Sequence, residues 1–241
     1  MFTRWRKYSY TDRRIGNLKK LKALLWVGIF FSAYAIITSF VIILCDLENQ
    51  SMTPEFKSGE RFTFLSFGIK RAIPQLPILN PLPLERGDVV LIKMKSQENQ
   101  SFFLTVADKF CRFLTFGRLG LHEGIERNFL KRVIATPGDE ISMSNFVMRV
   151  KPANGSFTFT EFELSEKLYT INIPEIPPLW DQSIPFSGNV EQTVLGEGMY
   201  YLLSDNRSNT NDSRTWGPVH ARNIAGKLLF RYWPIIRFGK V

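Results

Sequence analysis

The feature that most constrains this chain is a run of 23 residues without a charged side chain, Ala23–Cys45. At 1.5 Å per residue a helix over this run would be roughly 34 Å long, enough to cross a hydrocarbon core of about 30 Å. A cleavable secretory signal is the alternative, but its apolar core is shorter, about 7–15 residues, and a small-residue cleavage site follows it. We therefore predict a transmembrane anchor over residues 23–45.

The charges beside this run predict its orientation. Residues 1–22 carry eight basic side chains and one acidic one, so they supply +7 of the net charge of +9 and leave +2 for the other 219 residues. The positive-inside rule then places residues 1–22 in the cytoplasm and residues 46–241 outside it. The nearly neutral body argues against a nucleic-acid partner, because nucleic-acid binding requires a basic folded surface.

The cysteines and histidines argue against two further classes, disulfide-stabilised proteins and metalloproteins. The two cysteines, Cys45 and Cys111, do not form a disulfide framework, so packing alone must stabilise the body. The two histidines, His122 and His220, have no clustered ligand partners. We expect no metal and no cofactor, and we expect a monomer.

The segment outside the membrane is predicted to be mainly β. Short alternating or β-branched runs bounded by turn residues predict strands at Arg61–Leu65, Asp88–Ile92, Phe129–Ala135, Val147–Val150, Met199–Leu203 and Ile224–Tyr232. Proline-rich stretches at 71–86 and 174–185 predict extended connections. Residues 144–198 are predicted to form a second, smaller β-rich subdomain inserted in the first, and residues 96–127 an amphipathic insertion with a helix at Phe103–Phe116.

Two residues in this body suit nucleophilic chemistry. Ser51 follows Cys45 by six residues, so it lies no more than about 20 Å from the predicted membrane edge. Lys131 alternates with Phe129, Val133 and Ala135, which would bury its amine among apolar side chains. Burial favours the neutral amine, and a pKa near 8 would cost roughly 3 kcal/mol. The alternatives are a turn serine in a polar loop and a solvated strand lysine.

Four segments taken together resemble the conserved motifs of bacterial type I signal peptidases. They are 51–54 (SMTP), 86–90 (RGDVV), 131–139 (KRVIATPGD) and 204–214 (SDNRSNTNDSR), and they follow one predicted anchor in the family's order. The resemblance implies a mainly-β fold with a Ser/Lys catalytic dyad, in which Ser51 is the nucleophile and Lys131 the general base.

The resemblance also implies supporting roles. Thr210 stands where the family has a serine whose hydroxyl binds the catalytic lysine, and Asp212 and Arg214 match an ion pair that braces the site. Asn49 stands where a serine or glycine is usual, and its amide could donate to the oxyanion beside the Ser51 N–H. Met52, Phe129 and Leu130 are candidates for the substrate pockets. Ser204 replaces a usual glycine, Ser208 a usual aspartate, and Ala135-Thr136 a usual Gly-Leu pair.

The function implied is removal of signal peptides from exported preproteins, by cutting after small-x-small sequences. The expected partners are therefore signal peptides and the lipid bilayer, with the insertion either lying on lipid or packing on the β body. Two alternatives stay open. One is an inactive anchored β-domain that binds exported chains. The other is a self-cleaving repressor, which needs a DNA-binding domain, and residues 1–22 are too short to form one.

Overall fold

The computed structural model of the protein describes residues 10–36, 42–47, 49–67, 84–93, 107, 110–111, 128–175 and 188–240. The chain divides into two compact units. One comprises Met1–Ser39 and Gln100–His122, and the other comprises Phe40–Asn99 and Glu123–Val241. The second unit contains all of the candidate site residues.

The first unit is organised around helix α1, Tyr10–Ile36, which exposes large apolar side chains along its length. The ring of Phe31 on this helix meets Phe110 edge-on, with centroids 5.3 Å apart. Ala107, Phe110 and Cys111 are the described residues of the predicted insertion, and the rest of the predicted helix at Phe103–Phe116 lies outside the described residues. None of the helices in the described ranges is both long enough and apolar enough to span a bilayer.

The end of the apolar run differs from the predicted anchor. Ile42–Asp46 is strand β1 and not helix, and it pairs antiparallel with the strand that begins at Arg61. The main-chain groups of this segment therefore bond to a neighbouring strand, and Cys45 is buried in the core of the β unit. A long apolar run does not reveal which of its residues leave the helix, because a buried helix segment and a buried strand can both be continuously apolar.

A large antiparallel sheet forms the body of the second unit. Its strands follow the order β1-β2-β11-β3-β4-β9-β10, and a short β12 pairs with β11. Their bounds are Ile42–Asp46 (β1), Arg61–Ser66 (β2), Val89–Lys93 (β3), Asn128–Ala135 (β4), Met199–Leu203 (β9), Val219–His220 (β10), Ile224–Trp233 (β11) and Gly239–Lys240 (β12). Short 3-10 turns, Ala221–Asn223 and Ile235–Arg237, flank β11.

A second sheet of four strands has the order β7-β6-β5-β8. Its strands are Glu140–Ser144 (β5), Val147–Lys151 (β6), Phe159–Thr160 (β7) and Val190–Val194 (β8). Among the described residues the unit also has two one-turn helices, α2 at Glu161–Leu164 and α3 at Ser213–Trp216. The prediction of a mainly antiparallel β fold is confirmed, and all six predicted strands are present within one or two residues of their predicted ends.

Three apolar clusters hold the sheets together. One, around Phe56, Phe62 and Phe64, lies under β1, β2 and β11. A second, around Ile141 and Met148, packs the smaller sheet against the end of β9, and a third includes Phe129 and Val133 of β4. Most of the two proline-rich stretches, residues 71–83 and 176–185, lies outside the described residues. Strand β4 contributes to all three clusters, with Leu130 in the first, Ile134 and Ala135 in the second, and Phe129 and Val133 in the third.

Candidate active site

Lys131 lies in the middle of strand β4 and is fully buried, with 0% of its surface exposed. Its amine donates a hydrogen bond to Ser204 Oγ at 2.8 Å and lies 5.9 Å from the centroid of the Trp216 ring. Among the described residues no carboxylate lies within ion-pair distance of this amine. The burial of Lys131 that strand alternation predicted is therefore confirmed.

Burial changes the protonation of this amine. Removal from water lowers the pKa of Lys131 from 10.5 to about 8. The negative charge of Asp212 opposes this change, the positive charge of Arg214 adds to it, and Asp205 opposes it. A neutral amine is therefore accessible near neutral pH, as a general base requires.

Ser51 opens a tight turn in the loop between β1 and β2, and it is also fully buried. Its hydroxyl donates to Asn49 Oδ1 at 2.7 Å, and its backbone N–H donates to the same oxygen at 3.2 Å. Because an N–H can only donate, the Asn49 atom facing Ser51 is the carbonyl oxygen. In this arrangement Asn49 accepts two hydrogen bonds from Ser51, whereas the sequence predicted that its amide would donate.

One short segment, residues 204–206, contacts both candidate catalytic residues. Asn206 N–H donates to the Ser51 carbonyl at 3.0 Å, and Ser204 Oγ receives the Lys131 amine. Among the described residues, the Ser51 hydroxyl donates to Asn49 and the Lys131 amine donates to Ser204. No hydrogen bond joins Ser51 to Lys131 directly. The fold therefore holds the serine and the lysine against the same stretch of backbone.

Asp212 and Arg214 form a buried ion pair, with 2.8 Å between Arg214 Nη2 and Asp212 Oδ2. Burial alone would raise the pKa of Asp212, but the hydrogen bond and charge of Arg214 outweigh it and lower that pKa below its ordinary value. The ionised carboxylate also accepts the Ser204 N–H at 3.0 Å. Asp212 is thus held in place by Arg214 and in turn holds the backbone of Ser204.

The hydrogen bonds described for Thr210 are made by its backbone carbonyl, whereas the resemblance predicted that its hydroxyl binds the catalytic lysine. Its carbonyl accepts hydrogen bonds from Asp212 N–H at 2.8 Å and from Thr215 Oγ1 at 2.6 Å. In the described part of the chain, the hydroxyl bonded to Lys131 belongs to Ser204 and not to Thr210. The physical reason is register: Ser204 stands directly across from Lys131, whereas Thr210 lies in the loop beyond.

Arg132 is a functional-site neighbour that the sequence analysis did not single out. It is 2% exposed and its guanidinium binds Asp205 in a two-point contact of 2.8 and 2.6 Å, Glu55 at 2.7 Å and the Gly87 carbonyl at 2.9 Å. The Tyr169 ring covers it, with the guanidinium carbon 4.1 Å from the centroid. Strand alternation was the available signal, because it places Arg132 opposite to Lys131.

The candidate pocket residues fall in two places. Met52 and Leu130 belong to the cluster under β2 and β11, whereas Phe129 belongs to the cluster on the other face of β4 and meets Trp216 edge-on at 5.4 Å. Phe129 therefore shares a face with Lys131, and Leu130 shares one with Arg132. Within the described ranges, no group of three or more potential metal ligands is present.

The sequence is similar to known proteins over most of its length. The family model described as "Signal peptidase, peptidase S26" matches residues 20–233. "Signal peptidase IB" of Staphylococcus aureus (strain N315) is 23% identical over 223 residues, covering 90% of this chain and 92% of that protein. "Probable signal peptidase I-1" of Synechocystis is 29% identical over 113 residues, covering 47% of this chain and 46% of that protein.

Proposed function

The chain belongs to the signal peptidase family, peptidase S26, and from this premise we propose that it removes signal peptides from exported preproteins with Ser51 as nucleophile and Lys131 as general base. The observation that supports these two roles is a fully buried amine whose hydrogen-bond partner is a hydroxyl. Such an amine is easily deprotonated, in contrast to one held by a carboxylate.

The reaction follows from these groups. The neutral Lys131 amine takes the proton of the Ser51 hydroxyl while Oγ attacks the carbonyl carbon of the scissile bond. The tetrahedral intermediate collapses when the Lys131 ammonium returns that proton to the leaving amine, which leaves an acyl-enzyme. Water, deprotonated by the same amine, then adds to the ester carbonyl. The Lys131 ammonium gives that proton to Ser51 Oγ as the bond between Oγ and the acyl carbon breaks, which releases the product acid and regenerates free Ser51 and the neutral amine.

Two hydrogen bonds must change for this to occur. The Ser51 hydroxyl turns from Asn49 Oδ1 toward the Lys131 amine, and the Ser51 N–H becomes the donor to the oxyanion. Asn49 thus holds the resting serine, and a bound substrate carbonyl competes with it for the N–H. In line with the family resemblance, the substrate binds as an extended strand with small side chains at the first and third positions before the cut.

The lipid bilayer is the proposed surface on which this reaction takes place. The 3-10 turn Ile235–Arg237 exposes two isoleucines, of which Ile236 is 98% exposed, and Phe238 follows it. Arg237 ties this apolar turn to the serine loop, because it pairs with Glu60 and donates to the Glu55 carbonyl at 3.2 Å. Exposed apolar side chains beside the nucleophile loop would seat the site at the membrane, with residues 1–22 on the cytoplasmic side and the β unit on the other.

A second candidate is an inactive module that binds exported chains without cutting them. The observation that favours it is the bond of the Ser51 hydroxyl to Asn49 in place of Lys131. The two candidates differ in one measurable product, the cleaved signal peptide.

A cleavage assay with the full-length protein in detergent tests the proposal. Ser51→Ala and Lys131→Ala should each abolish cleavage of a preprotein. Ser156→Ala, at an exposed position between β6 and β7, and Lys151→Ala, at the partly exposed end of β6, should leave it unchanged. Wild-type turnover by either active-site variant would reject the dyad, and the absence of any product from the wild-type protein would favour the binding module.

The bilayer surface has its own test in liposomes that contain the full-length protein. Ile236→Asp should slow cleavage of a membrane-embedded preprotein more than cleavage of a short soluble peptide, because it removes apolar contact with lipid. Leu168→Asp, an equally exposed position elsewhere on the unit, is the matched control. Equal slowing of both substrates by Ile236→Asp would show that this turn does not seat the site on lipid.

A further inference from the structure

Ser204 stands across from Lys131 because of the pairing of β4 with β9. In that antiparallel register Arg132 is opposite Leu203 at the end of β9, so continuing the register by one residue places Ser204, which follows β9, opposite Lys131. Directly opposed residues have Cβ atoms only about 4.5–5.5 Å apart. A serine side chain at this position is therefore short enough to face the amine rather than pass it.

We propose that Ser204 is the residue that positions the Lys131 amine for proton transfer, in place of the hydroxyl at Thr210. This inference rests on the proposed dyad and adds a residue to it. The resemblance to type I signal peptidases predicts glycine at this position, so the chain supplies here a hydroxyl that the motif lacks. The 2.8 Å bond from Lys131 Nζ to Ser204 Oγ is the contact that carries the proposal.

The surroundings of Ser204 shield its hydroxyl from solvent and hold its backbone in place. The residue is 0% exposed, so no water competes for the bond with the amine. Its N–H is bound by Asp212, and Asp212 is bound by Arg214, so the position of Ser204 is set by a buried ion pair. A hydroxyl on a backbone held in this way limits the rotamers open to the Lys131 side chain, which otherwise has four freely rotating torsions.

The hydroxyl can do this in both protonation states of the lysine. It accepts one N–H of the ammonium, and when the amine is neutral it still accepts one N–H and leaves the nitrogen lone pair free for the Ser51 proton. A hydrogen bond to the charged form also favours that form. Removal of the hydroxyl should therefore misplace the amine and make it easier to deprotonate.

The experiment compares variants of the full-length protein in a preprotein cleavage assay across pH 6–10. Ser204→Ala should lower kcat/KM by about 10- to 100-fold, the loss expected for one buried hydrogen bond at a reacting group. It should also move the acid limb of the pH profile to lower pH. Ser204→Thr keeps the hydroxyl and should restore most of the rate and the position of the limb.

Thr210→Ala is the matched comparison, because it removes a hydroxyl from the same polar segment. It should cost less than Ser204→Ala and leave the acid limb where it is. A melting curve of each variant excludes loss of fold, and Ser204→Gly, which also removes the hydroxyl, serves as a second variant should Ser204→Ala be unstable.

The outcomes separate this inference from the dyad. If Ser51→Ala is inactive but Ser204→Ala and Ser204→Gly keep the wild-type rate and pH profile, the positioning role is wrong and the dyad stands. A larger loss and a shifted limb in Thr210→Ala would return the role to Thr210. If Ser51→Ala keeps its activity, the dyad itself fails and the inference fails with it.

Discussion

Lys131 and Arg132 are adjacent on strand β4, and the two cations are buried in opposite ways. Lys131 faces the cluster that contains Phe129 and Trp216, where a hydroxyl is its hydrogen-bond partner. Arg132 faces the other side, where Asp205, Glu55 and a backbone carbonyl bind it. The same strand therefore buries one cation among apolar groups and the next among carboxylates.

The difference shows in the protonation of the two groups. Burial lowers the pKa of Lys131 to about 8. Burial would also lower the pKa of Arg132, but the hydrogen bond and charge of Asp205 outweigh it and raise that pKa above its ordinary value. Burial without a carboxylate partner thus favours the neutral form of a basic side chain, whereas burial beside a carboxylate keeps the side chain charged. Arg132 holds Asp205, which lies next to Ser204, and in the proposed mechanism Lys131 is the group that moves protons.

The largest expected effect comes from giving position 131 the permanent charge of its neighbour. Lys131→Arg keeps a cation but cannot deprotonate, so it should reduce kcat for preprotein cleavage by about 10⁴-fold, the upper range for loss of a general base. Steady-state cleavage at pH 8 measures this. Arg149→Lys, an exposed Arg/Lys exchange on β6, controls for the exchange itself. Substantial turnover by Lys131→Arg would show that the site does not depend on a neutral amine.

Arg132→Met tests the other side of the comparison. It leaves the nearly fully buried Asp205 without its counter-charge, and loss of one partner of a buried pair costs about 3–5 kcal/mol of the free energy of unfolding. Denaturant unfolding of the detergent-solubilised protein measures this. Arg132→Met combined with Asp205→Asn should recover part of the loss, and Glu55→Gln, which changes a more exposed partner, should cost about 1 kcal/mol or less. Equal stability of Arg132→Met and wild type would mean that Arg132 does not brace the site.

The smallest effect should be a gain in stability when the buried amine is removed. The pKa of Lys131 falls from 10.5 to about 8, a difference of 2.5, which corresponds to roughly 3 kcal/mol. Lys131→Met should therefore raise the free energy of unfolding at pH 7 by about 1–3 kcal/mol, while cleavage is lost. The gain is smaller than the full cost of burying the charge because Ser204 loses its hydrogen-bond partner.

The pH dependence of this gain has a definite sign. Below pH 8 the amine is charged in both the folded and the unfolded chain, so the folded protein carries the full cost of burying the charge. Between pH 8 and 10.5 the folded chain binds fewer protons, so wild-type stability rises with pH and the advantage of Lys131→Met declines. Unfolding at pH 7 and pH 9.5 checks this, and an advantage that grows toward pH 9.5 would contradict the burial of a charged amine.

The fold could be predicted in outline from local patterns. Six strands followed from alternation and β-branched runs, and each is present. Strand β8 was not predicted as a separate element, since the polar and exposed residues of Val190–Val194 carry little alternation. Strand β5 was not predicted either, although Glu140–Ser144 alternates polar and apolar residues. Strand β1 was assigned to the anchor, because its apolar sequence suits a helix as well as a strand and only pairing with β2 decides between them.

The burial of one candidate site residue could be predicted from the sequence, whereas the contacts of the candidate site could not. Burial of Lys131 followed from the apolar residues that alternate with it, and this prediction is confirmed. The acceptor role of Asn49 and the bond between Lys131 and Ser204 did not follow, because rotamers and hydrogen-bond partners depend on which segments the fold brings together.

The sequence by itself determined the family, the mainly-β class and the burial of one lysine. The order of the motifs and the alternation along each strand can be read directly from the sequence, without knowledge of which segments pack together. The tertiary structure decided which hydroxyl meets that lysine and which carboxylate holds its neighbour. Both partners lie 73 residues further along the chain. The register of β4 on β9 brings them within about 3 Å, and a register is set by the packing of whole sheets rather than by any residue in it.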